Sequence, residues 1–279
     1  MVKVADFVFS LEIELGLGTE RSRSQNRDKV LDQKIERAAV PKIIALCKKH
    51  EIKPTFAVCG HLFLNSCDGR HAGAKTACTG YAGFFEKDPK SNFPKNKSWY
   101  APDIVGMIKK SGFEIASHSF SHPSFLEITK DAASFEVKEC VKLAKKEGVG
   151  LKTFVFPFDE SAFLDVIKSS KFSHVVLRPK PRHLLLDLRS FGFSLLKPRL
   201  LDNGLIEVPK TFFLNRTKKS DLIKLWLLLW QAKLGGGTIH IWAHSHNLRD
   251  DSYFEFIEKI FLMAKKIGLK SKFISAIGV

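Results

Sequence analysis

Apolar residues in this chain fall into short runs closed by turn formers. Between the runs lie longer stretches in which apolar positions recur every three or four residues. The first pattern predicts buried strands and the second amphipathic helices. Val4–Phe9 is the first predicted strand, and the polar stretch Arg21–Arg27 a loop. Val30–His50 predicts a helix. Its apolar positions are Leu31, Ile35, Ala38, Ile43, Ile44 and Cys47, and its basic C-terminal end suits the helix dipole. Pro41 should kink or split that helix, because proline offers no amide donor. Pro54–Cys59 is a second strand, Pro102 opens a helix to Lys110, and Phe113–Ala116 is a third strand. A helix then runs to Lys146 and is ended by Gly148 and Gly150. Later strands are expected at Thr153–Phe156, Ser173–Leu177, Leu205–Val208, Thr211–Leu214, Thr238–Trp242 and Lys272–Ile277. Later helices are expected at Ser161–Ser170, Ser220–Leu234 and Asp251–Ile267. Residues 179–204 have no assignable period. Residues 60–100, rich in Gly, Lys, Asn and Cys, form a long insertion of the kind that usually carries function or motion.

Strands that alternate with helices predict a parallel sheet or barrel, and 279 residues suit a single α/β domain. In such folds chemistry gathers where strands end. The polar clusters of this chain lie at those points: Ser10–Glu14, His118–His122, Pro157–Glu160 and Ala243–Asn247.

Each cluster has its own chemistry. His118 and His122 leave one strand through a tight turn, so both imidazoles can reach a single divalent cation. Glu12 and Glu14 are two apart at a strand end and enter the same mouth if strand geometry persists; one suits a metal and the other a proton. His244, just past a strand, is a candidate proton donor, with His246 as runner-up, while His240 alternates with apolar residues as a core histidine does. Trp242 offers an apolar wall for a sugar face or fills the core. The amide after Pro157 could hold a developing oxyanion, and Asp159 or Ser161 could instead cap the next helix.

Composition narrows the partners. The net charge of +16 favours anionic ones. No nucleic-acid-binding module is recognisable, so nucleic acid is not expected. Five cysteines without a CxxC pair argue against a disulfide framework. Cys67 and Cys78 could pair, or could join His71 in a small metal site. The chain enters a strand at once with no secretory signal, and Leu225–Trp230 is too short to span a bilayer. A cytoplasmic protein that touches an anionic membrane surface is the expectation.

Taken in order, these segments resemble the polysaccharide deacetylase family, also called the NodB homology domain or carbohydrate esterase family 4. The resemblance rests on Pro54-Thr-Phe-Ala-Val-Cys-Gly60, on Gly112-Phe-Glu-Ile-Ala-Ser-His-Ser-Phe-Ser-His122, on Phe156-Pro157 and on Ile241-Trp-Ala-His244. It implies a distorted (β/α)7 barrel forming one catalytic domain over residues 1–279, with the insertion at 60–100. It also implies hydrolysis of an N-acetyl or N-formyl group from a sugar with a divalent metal such as zinc. By that match His118 and His122 are metal ligands, Glu14 the third ligand, Glu12 the base and His244 the acid. Phe156, Pro157, Phe158, Trp242, His246 and Asn247 are the candidate substrate contacts. An intracellular glycan precursor, lipid- or phosphate-linked, fits the basic charge. Two departures stand out: Glu12 and Glu14 replace the aspartates of the family, and Phe158 occupies the position of an arginine that orients the base, a role Arg178 could take. They keep open a catalytically silent glycan-binding barrel, and some relatives cleave non-sugar amides.

Overall fold

The computed structural model of the chain describes residues 5–19, 33–71, 88–178 and 197–279. The elements in chain order are β1 (Ala5–Ile13), α1 (Gln33–Lys49), β2 (Pro54–Val58), α2 (Pro102–Lys110), β3 (Glu114–Ser117), α3 (Lys130–Lys146), β4 (Thr153–Val155), α4 (Leu164–Ser169), β5 (His174–Leu177), β6 (Arg199–Leu200), β7 (Ile206–Pro209), β8 (Phe212–Phe213), α5 (Lys219–Gly235), β9 (Gly237–His244), α6 (Asp251–Ile267) and β10 (Lys270–Ser271). The strands form one curled sheet in the order β6-β7-β5-β4-β3-β2-β1-β9-β8, with β10 also on β1. Every pairing is parallel except β6–β7. This is the distorted barrel expected from the sequence.

The alternation in β1 sets the layers. Phe7, Phe9, Leu11 and Ile13 join the cluster shared with Val40, Ile43 and Cys47 of α1 and with Ile257 and Phe261 of α6. Phe261 meets Phe7 and Phe9 edge-on, with centroids 6.0 and 5.2 Å apart. Burying each such side chain contributes about 1.5–3 kcal/mol. The alternate residues turn to the barrel interior, where Val8 packs with Ala57, Ala116, Val155, Val176 and Val208. Ile274 and Ile277, from the C-terminal segment, complete that inner cluster.

Several expectations change. Strand β1 continues to Ile13, so Glu12 lies inside it, and β9 continues to His244. Helix α1 runs through Pro41 without a break. Pro41 is exposed, while Val40, Ile43 and Ile44 carry the packing across the lost hydrogen bond. Helix α4 begins at Leu164 rather than 161, so neither Asp159 nor Ser161 caps it. The strand expected at Lys272–Ile277 is instead β10 followed by a turn at Ile274–Ala276. Side chains satisfy the backbone there: Ile274 N donates to Thr55 Oγ1 and Ser275 N to Glu114 Oε2. Val4, the loop at Arg21–Arg27, Val30, Leu31, Cys78 and most of 179–204 lie outside the described residues.

Candidate active site

Parallel register brings the first two groups together. Glu12 of β1 is paired with His244 of β9, so their side chains share the inner face. His244 Nε2 lies 3.1 Å from Glu12 Oε2 and 3.4 Å from Glu14 Oε1. His118, beyond β3, places Nε2 3.3 Å from the same Glu14 oxygen, and His122 Nε2 lies 3.2 Å from it. Three imidazoles thus converge on one carboxylate oxygen. Glu12, Glu14, His118 and His122 are buried, and His244 is the most open of the five.

The ring orientations are set from behind. His118 Nδ1 donates to Val155 O at 2.9 Å, which leaves the lone pair of Nε2 aimed at the carboxylates. Both ring nitrogens of His122 are buried without a hydrogen bond. Glu14 packs over Gly18 so closely that a side chain there would displace it: a Cβ on Gly18 would lie 1.8 Å from Glu14 Oε2.

The turn carrying the histidines is strained, with Ser119 at φ +61° and His122 at φ +65°. Buried Glu136 of α3 offsets that cost. It accepts from Phe120 N at 2.7 Å, Ser121 N at 2.8 Å and Ser121 Oγ at 2.6 Å. Sequence reasoning missed Glu136, because nothing marks one acid among the charges of a helix. Glu136→Ala is expected to destabilise the fold by about 1–3 kcal/mol for each amide left unsatisfied. Denaturant unfolding checks this, and unchanged stability would remove Glu136 as the brace of the histidine turn.

Lys210, just past β7, is the other residue the sequence did not single out. Its Nζ is 2.7 Å from Glu12 Oε1, bonds Asp159 and sits 3.6 Å above the Trp242 ring. It therefore stands beside Glu12, where an orienting arginine was expected, and Arg178 is exposed. Burial alone would raise the pKa of Glu12, but the Lys210 ammonium and His244 hold it well below the usual range. Glu14 is likewise lowered against its burial, by His122 and His244. Burial opposes the charge on His244, yet Glu14 and Glu12 push it up to about 9. His240 is the core histidine expected: burial, then Lys210, lower it to about 3, and Ser10 Oγ sits 2.7 Å from its Nε2.

The remaining candidates are placed as follows. Phe158, at φ +57°, is partly exposed and packs edge-on to His122 at 4.6 Å. Pro157 is buried. Phe156 is sealed in an apolar cluster with Phe125 and Phe154, so it supports the wall from behind rather than facing a ligand. Trp242 stacks on Phe213 at 4.1 Å. His246 stacks on His244 at 4.7 Å and lies 3.6 Å from Glu36. Asn247 Oδ1 is 3.3 Å from His244 Nδ1.

Residues 30–164 match the polysaccharide deacetylase family profile, a span that holds His118, His122 and Phe156–Phe158 but neither glutamate nor His244. No curated protein sequence matches the chain. Among solved structures, a protein described as a polysaccharide deacetylase from Mycobacterium smegmatis aligns with TM-score 0.62 at 14% identity, covering 98% of this chain and 87% of that one. A chitin deacetylase from Colletotrichum lindemuthianum aligns with TM-score 0.52 at 9% identity, over 98% of this chain and 88% of that one. A carbohydrate esterase family 4 pseudoenzyme from Bacillus anthracis aligns with TM-score 0.52 at 11% identity, over 99% and 66%. At these identities the likeness is one of fold.

Proposed function

We propose that this chain, whose residues 30–164 belong to the polysaccharide deacetylase family, is a metal-dependent hydrolase that removes an N-acyl group from a sugar or glycan. The observation that carries the reading is the convergence of His118, His122 and His244 on Glu14, beside Glu12. One carboxylate and two imidazoles suit a zinc-like cation, and Nε2 of buried His122, which makes no hydrogen bond, fits the same ligand. Glu14, His118 and His122 would hold that cation, whose Lewis acidity acidifies water and polarises the acyl carbonyl.

The chain's own groups supply the rest. Glu12 takes the proton of the attacking water. His244, the most open imidazole, protonates the departing sugar amine. Lys210 fixes the position of Glu12, and the backbone at Phe158 faces the developing oxyanion. Trp242, His246 and Asn247 would line the sugar side, with Phe158 opposite. Acetate release from N-acetylated chitin and peptidoglycan fragments, with and without zinc, tests the assignment. Zinc-stimulated release supports it, and metal-loaded protein without release on any acylated sugar overturns it.

One observation favours a second reading, a glycan-binding barrel without turnover. Both oxygens of Glu12 already face cationic partners, Lys210 and His244, and a carboxylate held so acidic is a weak base. Glycan binding without acyl release would select it.

The charge and α5 bear on the partner. Ile223, Trp226, Leu227, Trp230 and Leu234 are exposed on α5, with Lys218, Lys219 and Lys224 exposed alongside. That pairing supports peripheral contact with an anionic membrane and a lipid- or phosphate-linked substrate. No helix among the described residues is long and apolar enough to cross a bilayer. The chain is expected to sediment with phosphatidylserine vesicles but not with phosphatidylcholine ones. Trp226→Ser with Trp230→Ser should release it, and equal binding to both vesicle types would end the idea.

A further inference from the structure

A second cluster of metal-ligating side chains lies among the described residues of the 60–100 segment. His61, Cys67, His71 and Asp88 each offer one ligand atom, and those atoms all lie within 4.8 Å of one another. His61 Nε2 and His71 Nε2 are both 3.0 Å from Asp88 Oδ2, and Cys67 Sγ is 3.2 Å from His71 Nε2. Nitrogen and oxygen ligands around a tetrahedral zinc stand roughly 3.3 Å apart and sulfur slightly farther, so these three contacts are near those of neighbouring corners. Nothing in the deacetylase chemistry uses these residues.

The surroundings are those of a metal's supporting shell. His61 Nδ1 donates to Trp99 O at 2.9 Å, which leaves Nε2 as a lone pair facing a carboxylate oxygen. Two electron-rich atoms at that distance need a proton or a cation between them. His118 is prepared in the same way at the catalytic centre, through Val155 O. Asp88 Oδ1 accepts from Lys90 N at 2.8 Å, so its Oδ2 is left to the histidines, and Gly69 N donates to Cys67 Sγ at 3.2 Å. The side chains of His61 and Asp88 are fully buried, and that of His71 is nearly so.

We propose that His61, Cys67, His71 and Asp88 bind a structural zinc ion, separate from the catalytic centre. Four protein ligands leave no coordination position for a substrate, which makes the site structural. One thiolate, two imidazoles and a carboxylate favour zinc over magnesium or calcium. The ion joins residues 61–71 to Asp88 and secures them against the histidine turn. Phe120, two residues from His118, packs against both His61 and His71 at 5.4 and 5.3 Å, and His61 N donates to Phe120 O.

The test is zinc content by elemental analysis of full-length protein dialysed without chelator. About two zinc ions per chain are expected for the wild type. Cys67→Ser and His118→Ala should each retain about one, and the double variant none. Cobalt substitution removes any dependence on variants that fold poorly. The catalytic cluster contains no thiolate, so a sulfur-to-cobalt charge-transfer band in the wild-type protein reports the second site. That band should persist in His118→Ala and vanish in Cys67→Ser. A wild type that binds zinc only at the catalytic cluster, or shows no such band with cobalt, overturns the proposal and leaves a His–Asp–His ion-pair cluster. Two zinc ions without any acyl release would instead sink the catalytic reading and spare this one.

Discussion

Glu12→Gln is expected to lower the rate of acetate release by about 10²–10⁴-fold, the usual contribution of a positioned general base. The amide keeps the shape of the carboxylate and one acceptor oxygen but cannot take a proton. The loss should fall on kcat, with KM nearly unchanged, because Glu12 lies beside Glu14 at the reacting centre rather than along the sugar wall. Zinc stoichiometry should also hold, since Glu14, His118 and His122 are untouched. Rate and zinc content measured on one preparation check both halves. A variant with wild-type turnover would move the base elsewhere, His244 being the nearest candidate. A variant that loses zinc as well would make Glu12 a ligand, as the compact Glu12–Glu14–His244 grouping permits.

Lys210→Met should damage both stability and turnover. Its ammonium is buried between Glu12 and Asp159, and those two carboxylates raise its pKa despite the burial. Methionine fills similar volume, strips Asp159 of this cation and leaves Glu12 with His244 alone. Removing one partner of a buried ion pair costs about 3–5 kcal/mol. The released Glu12 would also shift, and misplacement by about 1 Å can cost around a hundredfold in rate. Chemical denaturation and steady-state kinetics check the two effects. If Lys210 only braces the fold, Lys210→Met would unfold more easily yet keep its kcat, and the positioning role would be lost.

The sequence showed most of what one strand or one turn contains. Glu12, Glu14 and the two histidines were visible because strand alternation and a four-residue turn are local rules. His244 was visible because a strand end is where such folds expose polar groups. Lys210 was not, since its importance lies in a contact with Glu12 that spans most of the chain. Glu136 was hidden for the same reason: its helix looks like any charged helix until the turn it caps is placed against it. Pro41 misled because local backbone chemistry argued for a break, whereas the packing of Val40 and Ile43 decided for continuity. The last strand was misplaced because apolar Ile274 and Ile277 belong to the barrel interior, where their spacing follows a tight turn instead of a pleat.

The two histidine anchors have different consequences for the order of assembly. His118 is locked by a carbonyl of β4, and its turn is tied down by α3. Folding alone therefore sets that receptor, and the proposed cation would enter a finished vessel. The ligands around Asp88 come instead from residues 61–71 and from Asp88 itself, and their ion would be the rivet that joins them. On that reading the outer ion would belong to folding itself, and the inner one would follow it.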